Sequence, residues 1–450
     1  MDDTPRYLVA VVGAGPAGLF AARELAAIGA HVALFNRDIK PGGLAEYGIY
    51  PDKLKMKVGL RAQFKQTLAN PNVEYYGNVT IGAQGDLTLA QLWQMGFQAI
   101  LVTAGAQGTK WLGLPGEHLH GVFHAKELVY HYNHLPPFSQ QAYKFGKRVA
   151  IIGAGNVMVD IARYLIERVQ VDEVAAFVRR GPMEIKFDRK QVEYIAPNLD
   201  WNAYSREIDR VAASMRTVGQ DPEFARRTMQ QLRAKAGPAQ SNTCFWMRFL
   251  SSPAAMLDNG QGSVAGLDIE ETRLEMGADE PRAVPTGQHK LFEMDSVIFA
   301  IGDRVDETLG LPVRDHLFQV SQQPRFPQEG VSYEIGEPQS GLPLPGLFVA
   351  GWSRKASSGL VGIARKDGVN AAQAVGQYLQ SLSAAPFPGL ERFHAALQSL
   401  QDKPLVTQGD LLKLEAVERV RARVSGRADF QFDNNEDMLA AMQLAHPVNR

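Results

Sequence analysis

The sequence predicts an α/β protein with two Rossmann-like dinucleotide-binding domains, the second inserted into the first. Two glycine signatures are the main observation, because each directly follows an apolar run: Gly13-Ala14-Gly15-Pro16-Ala17-Gly18 follows Tyr7–Val12, and Gly153-Ala154-Gly155-Asn156 follows Arg148–Ile152. A strand, a glycine turn and a helix, in that order, begin the βαβ unit from which parallel sheets are built. Two such units in one chain indicate two bound dinucleotides.

Length and composition are those of an ordinary globular protein. The 450 residues suffice for two or three domains, and contents of 45% hydrophobic and 21% charged residues are typical of chains with a buried core. The formal net charge of −1 provides no general attraction to nucleic acid or anionic membranes. No apolar run is long enough to span a bilayer, and residues 1–4 lack the basic start of a signal peptide. We therefore expect a cytoplasmic protein with no nucleic-acid partner and no integral membrane segment.

A single cysteine, Cys244, excludes several kinds of redox and metal chemistry. One thiol cannot form an internal disulfide, a four-cysteine iron–sulfur cluster or a multi-cysteine zinc site, so a flavin disulfide reductase mechanism is also excluded. The neighbours Phe245, Trp246 and Phe249 predict that Cys244 is buried as a small apolar side chain. We expect no metal site, because a group of histidines lacks ligand spacing and is predicted to lie at the surface: His118, His120, His124, His131 and His134.

The predicted elements follow the two signatures in chain order. Each unit is predicted as strand, helix and strand, at 7–12, 17–28 and 31–35 and again at 149–152, 156–169 and 174–178. Further strands are predicted at 99–103, 296–300 and 346–350, and roughly the last 80 residues are predicted to be mainly helical. The resulting domains are residues 1–107 and 308–450 around residues 108–307.

Each glycine of the first signature has a separate predicted role. Gly13 permits the tight turn, Gly15 lets the backbone approach a pyrophosphate, and Gly18 lets the helix pack closely on the strand. The N-terminus of that helix then presents its partial positive charge to the phosphates. The second strand usually ends in an acid that binds the ribose hydroxyls, but it ends here in Asn36, whose amide bonds a hydroxyl without charge assistance.

The second signature differs at its third position, where Met158 replaces a small residue and is expected to hold the helix away from the strand. The phosphate-facing part, from Gly153 to Asn156, is intact. The next strand ends at Arg179 and Arg180, and arginine pairs with a 2′-phosphate where an acid would favour NAD. This strand end therefore predicts NADP(H).

A third glycine-rich turn follows a late strand and runs Gly351-Trp352-Ser353-Arg354-Lys355-Ala356-Ser357-Ser358-Gly359-Leu360-Val361. Such a turn can bring backbone N–H groups onto a flavin ring or a phosphate. Trp352 offers a flat apolar face to a nicotinamide or flavin ring, although taken alone it is equally well interpreted as a core aromatic residue. Two nucleotide sites and this turn are typical of hydride exchange between a nicotinamide and a flavin.

These three elements, in this order, resemble the adrenodoxin-reductase type of ferredoxin–NADP reductase. Further segments that look like this family cover essentially the whole chain: Tyr76-Gly77-Asn78-Val79, Leu114-Pro115-Gly116-Glu117, Gly121-Val122-Phe123, Arg179-Arg180-Gly181-Pro182, Leu414-Glu415-Ala416, Ser425-Gly426 and Glu436-Asp437-Met438-Leu439. The loop from Gly42 to Ile49 is also similar to the small subunit of glutamate synthase, a relative with additional N-terminal cysteines that this chain lacks.

The resemblance implies FAD in the outer domain, NADPH in the inserted domain and electron transfer to a small iron–sulfur protein. The residues that it implies as FAD contacts are Ala17, Asn36, Leu44, Val79, Trp352, Gly359, Leu360 and Val361. Those that it implies as NADP contacts are Ala154, Gly155, Asn156, Val157, Arg179, Arg180, Gly359 and Gln191, the last in place of the usual glutamate. For proton traffic it implies Lys53, which replaces the family's histidine, and Asp160, which the second βαβ helix retains.

Docking of an acidic ferredoxin requires a basic surface. The candidates on and near one helical stretch are Arg226, Arg227, Arg233 and Lys235, with Lys186, Arg189 and Lys190. The alternative is that these charges form an ordinary solvated helix face.

The sequence therefore predicts an FAD-dependent NADPH oxidoreductase that passes electrons to a ferredoxin-type iron–sulfur protein or another one-electron acceptor. Two alternatives stay open. A flavin electron-input subunit of a larger complex, like the glutamate synthase small subunit, would use the same two sites. A non-catalytic NADP-binding protein that has lost its flavin is favoured only by Asn36 and Met158.

Overall fold

The computed structural model describes residues 5–355, 361–382, 387, 389–398, 400 and 403–444. Its strands, in chain order, are β1 Tyr7–Val12, β2 Ala30–Asn36, β3 Val73–Gly77, β4 Ala99–Val102, β5 Gly108–Thr109, β6 Val122–His124, β7 Arg148–Ile152, β8 Glu173–Phe177, β9 Cys244–Arg248, β10 Ser251–Asp258, β11 Val264–Met276, β12 Pro281–Phe292, β13 Ser296–Phe299, β14 Asp303–Arg304, β15 Val313–Arg314, β16 Leu317–Phe318, β17 Glu334–Gly336 and β18 Pro343–Val349. Its α-helices are α1 Pro16–Ala27, α2 Leu44–Tyr47, α3 Leu54–Leu68, α4 Leu89–Gln94, α5 Ala125–Tyr132, α6 Asn156–Tyr164, α7 Arg189–Val192, α8 Trp201–Thr217, α9 Pro222–Lys235, α10 Val361–Ser381, α11 Glu391–Gln398, α12 Gln408–Val424 and α13 Asn435–Ala441.

The chain divides into two units. Unit 1 comprises residues 1–109, 130–140 and 302–450, and unit 2 comprises residues 110–129 and 141–301. The short segment 130–140, which the sequence analysis assigned to the inserted domain, is part of unit 1. It contributes Tyr130 and Leu135 to an apolar cluster with Tyr47 of α2, a contact between distant residues that no local pattern reveals.

Unit 1 is built around a six-stranded sheet in the order β17-β18-β4-β1-β2-β3. All neighbours are parallel except β17 and β18. Strands β1 and β2 are almost wholly buried, because a parallel sheet is covered on both faces. One face packs on helices α1, α3 and α10 through residues such as Val9, Phe20 and Val375. The other face carries Leu8, Phe35 and Phe393 in a second apolar cluster.

Unit 2 combines a five-stranded parallel sheet, in the order β6-β13-β7-β8-β9, with a three-stranded antiparallel sheet, β10-β11-β12. Ile152, Phe177 and Phe299 of the first sheet share one core with Met256 and Leu267 of the second. The carboxyl ends of β7 and β8 lie side by side, in register from Arg148 to Ile152. The turns that follow these two strands therefore lie at the same edge of the sheet.

Both predicted βαβ units are present, with element ends that differ from the prediction by a residue or two, which is within the scatter of such assignments. One detail differs. The helix predicted over 156–169 is α-helical only to Tyr164 and continues as a π-helical turn, Leu165–Val169, which ends at Gln170 with a φ of +59°. None of the described helices combines the length and apolarity needed to cross a membrane.

Candidate functional site

The first glycine loop lies between β1 and α1, and two of its glycines are required by the protein itself. Gly13 has a φ of +112°, and a Cβ there would lie 2.6 Å from the carbonyl oxygen of Thr103. A Cβ at Gly18 would lie 2.0 Å from the carbonyl oxygen of Gly13, which also accepts a hydrogen bond from the Thr103 hydroxyl at 2.7 Å. Gly13 and Gly18 therefore permit the close approach of α1 to the ends of β1 and β4.

Gly15 is different, because contacts within the chain do not require a glycine there. Its φ of −77° suits any residue, and apart from its chain neighbours no atom of the described residues lies within 4 Å of where a Cβ would be. Gly15 precedes α1 without a side-chain cap, and Pro16 has no N–H to satisfy. The next N–H groups of α1 thus face an open space that suits an anion such as a pyrophosphate.

The side chain of Asn36 joins the glycine loop to the loop after β2. Its Oδ1 accepts a hydrogen bond from the Ala14 N–H at 3.1 Å, and its Nδ2 donates to the carbonyl oxygens of Asp38 and Lys40 at 2.8 and 3.0 Å. The Tyr75 hydroxyl lies 3.3 Å from Nδ2, and Asn36 is buried. The amide therefore holds the glycine loop in place, while its contact with a ribose stays a prediction.

The loop after β2 closes over the first glycine loop. The Gly42 N–H donates to the carbonyl oxygen of Ala14 at 2.7 Å, and a Cβ at Gly43 would lie 3.1 Å from the Cα of Gly15. Leu44, a predicted FAD contact, begins α2 and is half-buried. The two loops are therefore parts of one structure around Gly15.

The turn after β18 contains Trp352, which is half-buried. Both sides of the turn are held by hydrogen bonds: the Gly351 N–H donates to the Asp367 carboxylate at 2.6 Å, and the Ser353 hydroxyl accepts from the Gly105 N–H at 2.7 Å. The ring of Trp352 is thus carried on a fixed backbone at the carboxyl end of β18.

The remaining predicted FAD contacts are spread over unit 1. Ala17, in the first turn of α1, is buried, and its carbonyl oxygen would lie 2.2 Å from a Cβ at Gly368 of α10. Val79 is buried, and its N–H donates to the carbonyl oxygen of Asn36 at 2.9 Å. Val361 begins α10 and is half-buried. Gly359 and Leu360 lie outside the described residues.

Beside Leu44 lies a group of charges around the buried Glu46 and Glu418, which no local sequence pattern indicates. We call it the Glu46 cluster: Lys40, Glu46, Arg61, Glu418 and Asp429. Glu46 accepts a hydrogen bond from Arg61 at 2.8 Å and lies 3.7 Å from the Lys40 ammonium. Arg61 also pairs with Asp429, and Lys40 with Glu418, each at 3.0 Å. Burial tends to raise the pKa of Glu46, but Lys40 and Arg61 outweigh it and hold that pKa below its usual range.

The second glycine loop has the same design in unit 2. Gly153 has a φ of +139°, and a Cβ there would lie 2.4 Å from the carbonyl oxygen of Ala300. Gly155 precedes α6 without a side-chain cap, and in the described part of the chain a Cβ there would again meet nothing within 4 Å beyond its own neighbours. Met158 occupies the position of the third glycine and is fully buried. The N-terminus of α6 is therefore as open as that of α1.

A short segment between β8 and α7 is hydrogen-bonded to this loop at two points. The Lys186 N–H donates to the carbonyl oxygen of Ala154 at 3.0 Å, and the Asn156 Oδ1 accepts from the Asp188 N–H at 2.7 Å. Two predicted NADP contacts, Ala154 and Asn156, thus also bind this segment.

The arginines after β8 differ in their surroundings. Arg179 is exposed and has no ion-pair partner among the described residues, whereas Arg180 lies 3.1 Å from the Glu280 carboxylate. Val157, in the first turn of α6, is 43% exposed, and Gln191 is half-buried in α7. Of the two predicted arginines, Arg179 is the one that is free to meet a 2′-phosphate.

The two candidates for proton traffic lie in different units. Lys53 ends a 3₁₀ turn before α3 in unit 1, and Asp160 lies on α6 in unit 2; both are half-buried. Lys57, one turn further along α3, is buried and donates a hydrogen bond to the Asn133 Oδ1 at 2.7 Å. Burial lowers the pKa of Lys57 to about 8. Nothing in the local sequence pattern marks this lysine as buried, so it is not among the predicted site residues.

Two predictions about single residues were wrong. Cys244 is exposed, because it begins the edge strand β9 on the face opposite to the buried Phe245 and Met247. His124 is only 2% exposed, and its ring packs 5.8 Å from that of Trp111. Among the residues that the structure describes, no three or more His, Cys, Asp and Glu side chains are arranged to hold a metal ion.

The basic helix α9 is partly neutralised by its own surroundings. Arg226 pairs with Asp209 at 2.7 Å and with Glu223 at 3.3 Å, and Arg227 pairs with Asp221 at 3.1 Å. The other two members, Arg233 and Lys235, are exposed. A docking role for this face stays a prediction.

Comparisons with known proteins agree with this arrangement. A family described as pyridine nucleotide-disulphide oxidoreductase matches residues 7–199. The chain is 29% identical to the mitochondrial NADPH:adrenodoxin oxidoreductase of Bos taurus, over 97% of this chain and 92% of that protein. It is 26% identical to the NADPH-ferredoxin reductase FprA of Mycobacterium tuberculosis, over 94% of this chain and 96% of that protein.

The fold is also that of a solved structure, Mycobacterium tuberculosis FprA in complex with NADPH, with a TM-score of 0.80 and 24% identity over 98% of this chain and 100% of that one. Over nearly its whole length, the chain is therefore a homologue of the adrenodoxin-reductase type of ferredoxin–NADP reductase and has the two-domain α/β fold of these proteins.

Proposed function

We propose that this chain is an FAD-dependent NADPH oxidoreductase that passes electrons to a ferredoxin-type iron–sulfur protein or another one-electron acceptor. The observation that carries the proposal is the pair of glycine loops. Each has an uncapped helix N-terminus and a glycine, Gly15 or Gly155, with open space where a Cβ would lie. A side chain at either position would fill the space that a pyrophosphate needs.

We assign FAD to unit 1. The N-terminus of α1, opened by Gly15, would hold the pyrophosphate, and the loop with Leu44 would cover it. The half-buried Trp352 would offer its ring face near the flavin. Asn36 would stabilise this site, because its hydrogen bonds join the glycine loop to the backbone at Asp38 and Lys40.

We assign NADP(H) to unit 2. The N-terminus of α6, opened by Gly155, would hold its pyrophosphate, and the free guanidinium of Arg179 would bind the 2′-phosphate that distinguishes NADPH from NADH. Two relatives support this choice, since they are named as an NADPH:adrenodoxin oxidoreductase and an NADPH-ferredoxin reductase.

The cofactors, when bound, supply hydride transfer from nicotinamide to flavin and the release of single electrons. The contribution of the chain is to bind and orient them and to exclude water. Because Cys244 is the only cysteine in the sequence, the chain has no disulfide or cysteine-bound cluster to receive the electrons. The acceptor must therefore be a separate molecule or subunit.

The purified protein tests the proposal. We expect a yellow protein whose flavin absorbance is bleached by NADPH under anaerobic conditions and restored when an oxidised ferredoxin is added. A protein without flavin would contradict the proposal and favour the non-catalytic NADP-binding alternative. A large partner subunit that co-purifies in stoichiometric amount would instead favour the electron-input subunit.

We keep the cytoplasmic location as part of the proposal, although the relative from Bos taurus is mitochondrial by name. Fractionation of source cells, with detection of the flavoprotein by antibody, tests it, and recovery in an organelle would overturn it.

A further inference from the structure

Lys186 is held against the second glycine loop by its backbone. Its N–H donates to the carbonyl oxygen of Ala154 at 3.0 Å, and two residues further on the Asp188 N–H donates to the Asn156 side chain at 2.7 Å. The Asp188 carboxylate in turn accepts a hydrogen bond from the Lys190 N–H at 2.9 Å and caps α7. The segment is therefore fixed to the glycine loop at two points, which hold the backbone of Lys186 beside the loop.

The ammonium of Lys186 is available to bind an anion. The residue is exposed, and in the part of the chain that the structure describes no carboxylate pairs with it. The two acids nearest to it in sequence are engaged elsewhere, since Glu184 accepts a hydrogen bond from Gln220 and Asp188 caps α7. A lysine in this position is a mobile full charge on a flexible stem beside a helix N-terminus that supplies only partial charge.

We propose that Lys186 binds the pyrophosphate of the dinucleotide in unit 2, a contact that NADPH and NADH share. The inference rests on the proposed function, because it takes unit 2 to be the NADP site. The backbone of Lys186 is hydrogen-bonded to the loop before α6, where the pyrophosphate lies in such units. Arg179 lies two residues beyond the end of β8, where the adenosine ribose lies. Lys186 therefore contributes affinity for the dinucleotide, and Arg179 contributes the choice of NADP.

The test is equilibrium binding of NADP⁺ and of NAD⁺ to the flavin-loaded protein, measured by titration calorimetry. Lys186→Met keeps most of the apolar stem and removes the charge. We expect it to raise both dissociation constants by about the same factor, on the order of tenfold, because one charge-assisted contact is lost from each complex. Lys186→Arg, which keeps the charge, should restore most of the affinity. Arg179→Ala should weaken the binding of NADP⁺ alone.

Lys147 is the matched control. It is an exposed lysine of unit 2 that precedes β7, at the end of that strand opposite to the glycine loop, and it lies 3.6 Å from Asp172. Lys147→Met removes the same charge and should leave both dissociation constants unchanged. Circular dichroism and flavin content should be equal for all variants, so that a change in affinity is not a change in folding.

Two results would overturn the inference while leaving the proposed function intact. One is parent-like binding of both dinucleotides by Lys186→Met. The other is a loss confined to NADP⁺, which would put the ammonium at the 2′-phosphate. If the parent protein itself binds neither dinucleotide, the assignment of unit 2 fails and the inference fails with it.

Discussion

Asn36 shows how a single side chain at the end of a strand can hold a neighbouring glycine loop in place. Its position at the end of β2 predicts a ribose contact, but its Oδ1 and Nδ2 bond the backbone of Ala14, Asp38 and Lys40. An amide has both donors and an acceptor, and these three partners require both kinds. A carboxylate, which the ribose would favour, has no donor for the two carbonyl oxygens.

This difference makes Asn36→Asp a sharp test. The acid keeps the acceptor for Ala14 but places a negative charge against two carbonyl oxygens, so we expect a loss of about 2–3 kcal/mol in the free energy of unfolding, together with weaker FAD retention. Urea unfolding and flavin release measure these two effects. Asn70→Asp is the control, because the Asn70 Oδ1 accepts from the Asn72 N–H at 2.9 Å and an acid preserves that bond. Tighter FAD binding by Asn36→Asp would contradict the structural role.

Arg179 and Arg180 are adjacent but not equivalent. Arg179 is free to bind a phosphate, whereas Arg180 must first leave the Glu280 carboxylate, 3.1 Å away. We therefore expect Arg179→Ala to raise the KM for NADPH about tenfold, and Arg180→Ala to raise it less. The KM for NADH should stay the same in both variants. Initial rates with each dinucleotide measure this, and an equal loss with NADH would refute the role at the 2′-phosphate.

At the scale of elements, the Glu46 cluster joins α2, which follows the predicted FAD loop, to α3 and to the C-terminal part of unit 1. Glu46 bonds Arg61 of α3, and Arg61 bonds Asp429, which lies between α12 and α13. Because the Glu46 side chain is only 4% exposed, removal of its charge leaves Arg61 and Lys40 without compensation in a region of low polarity. Exposed pairs lack this penalty because water replaces the lost partner.

Glu46→Gln should therefore lower the free energy of unfolding by about 3 kcal/mol, the lower end of the range for a broken buried pair, since glutamine keeps an acceptor for Arg61. Glu415→Gln on α12 is the matched control: Glu415 pairs with Lys65, whose side chain is 52% exposed, and its loss should cost less than about 1 kcal/mol. Urea unfolding at neutral pH compares the two. Equal losses would show that burial does not strengthen the Glu46 cluster.

The buried Lys57 of α3 makes the free energy of unfolding depend on pH. Its pKa is lowered from 10.5 to about 8 by burial, so between these values the unfolded chain binds the extra proton and stability rises with pH. Lys57→Met removes this pH-dependent contribution to the free energy of unfolding. Relative to the parent, we expect the free energy of unfolding of the variant to fall by about 2 kcal/mol between pH 7 and pH 10. Unfolding curves at several pH values test this, and a difference that does not change with pH would contradict it.

At this scale, the sequence could predict the elements that are determined by residues close together in the chain. The two βαβ units follow from apolar runs, glycine turns and helix periodicity within short stretches, and both are present. The Glu46 cluster could not be predicted, because Arg61 and Asp429 are 368 positions apart. Cys244 was misplaced because apolar neighbours predict a strand but do not decide which face of an edge strand is covered. Segment 130–140 was misplaced for a similar reason, since its apolar partner Tyr47 is distant in the chain.

At the scale of the whole molecule, the chain contains two glycine loops of the same kind, and its one cysteine cannot form an electron carrier within the chain. The open helix N-termini at Gly15 and Gly155 prepare two nucleotide sites. A disulfide or a cysteine-ligated cluster, the usual next carriers within such proteins, requires more thiols than the one at Cys244. Under the proposed function the electrons pass to an outside acceptor, and Cys244 then has no redox role.

Cys244→Ser should accordingly leave NADPH-driven reduction of ferredoxin within about twofold of the parent rate, because serine has nearly the same size and the thiol takes no part in the reaction. The thiol is also poorly activated: partial desolvation of the exposed residue, with the nearby carboxylates of Asp200 and Glu173, raises its pKa above the ordinary value, so at neutral pH it carries its proton. Steady-state rates with a saturating one-electron acceptor measure the effect, and slow alkylation of the parent protein by iodoacetamide checks the protonation state. A tenfold or larger loss on Cys244→Ser, with flavin content unchanged, would place the thiol on the electron path and contradict the external-acceptor mechanism.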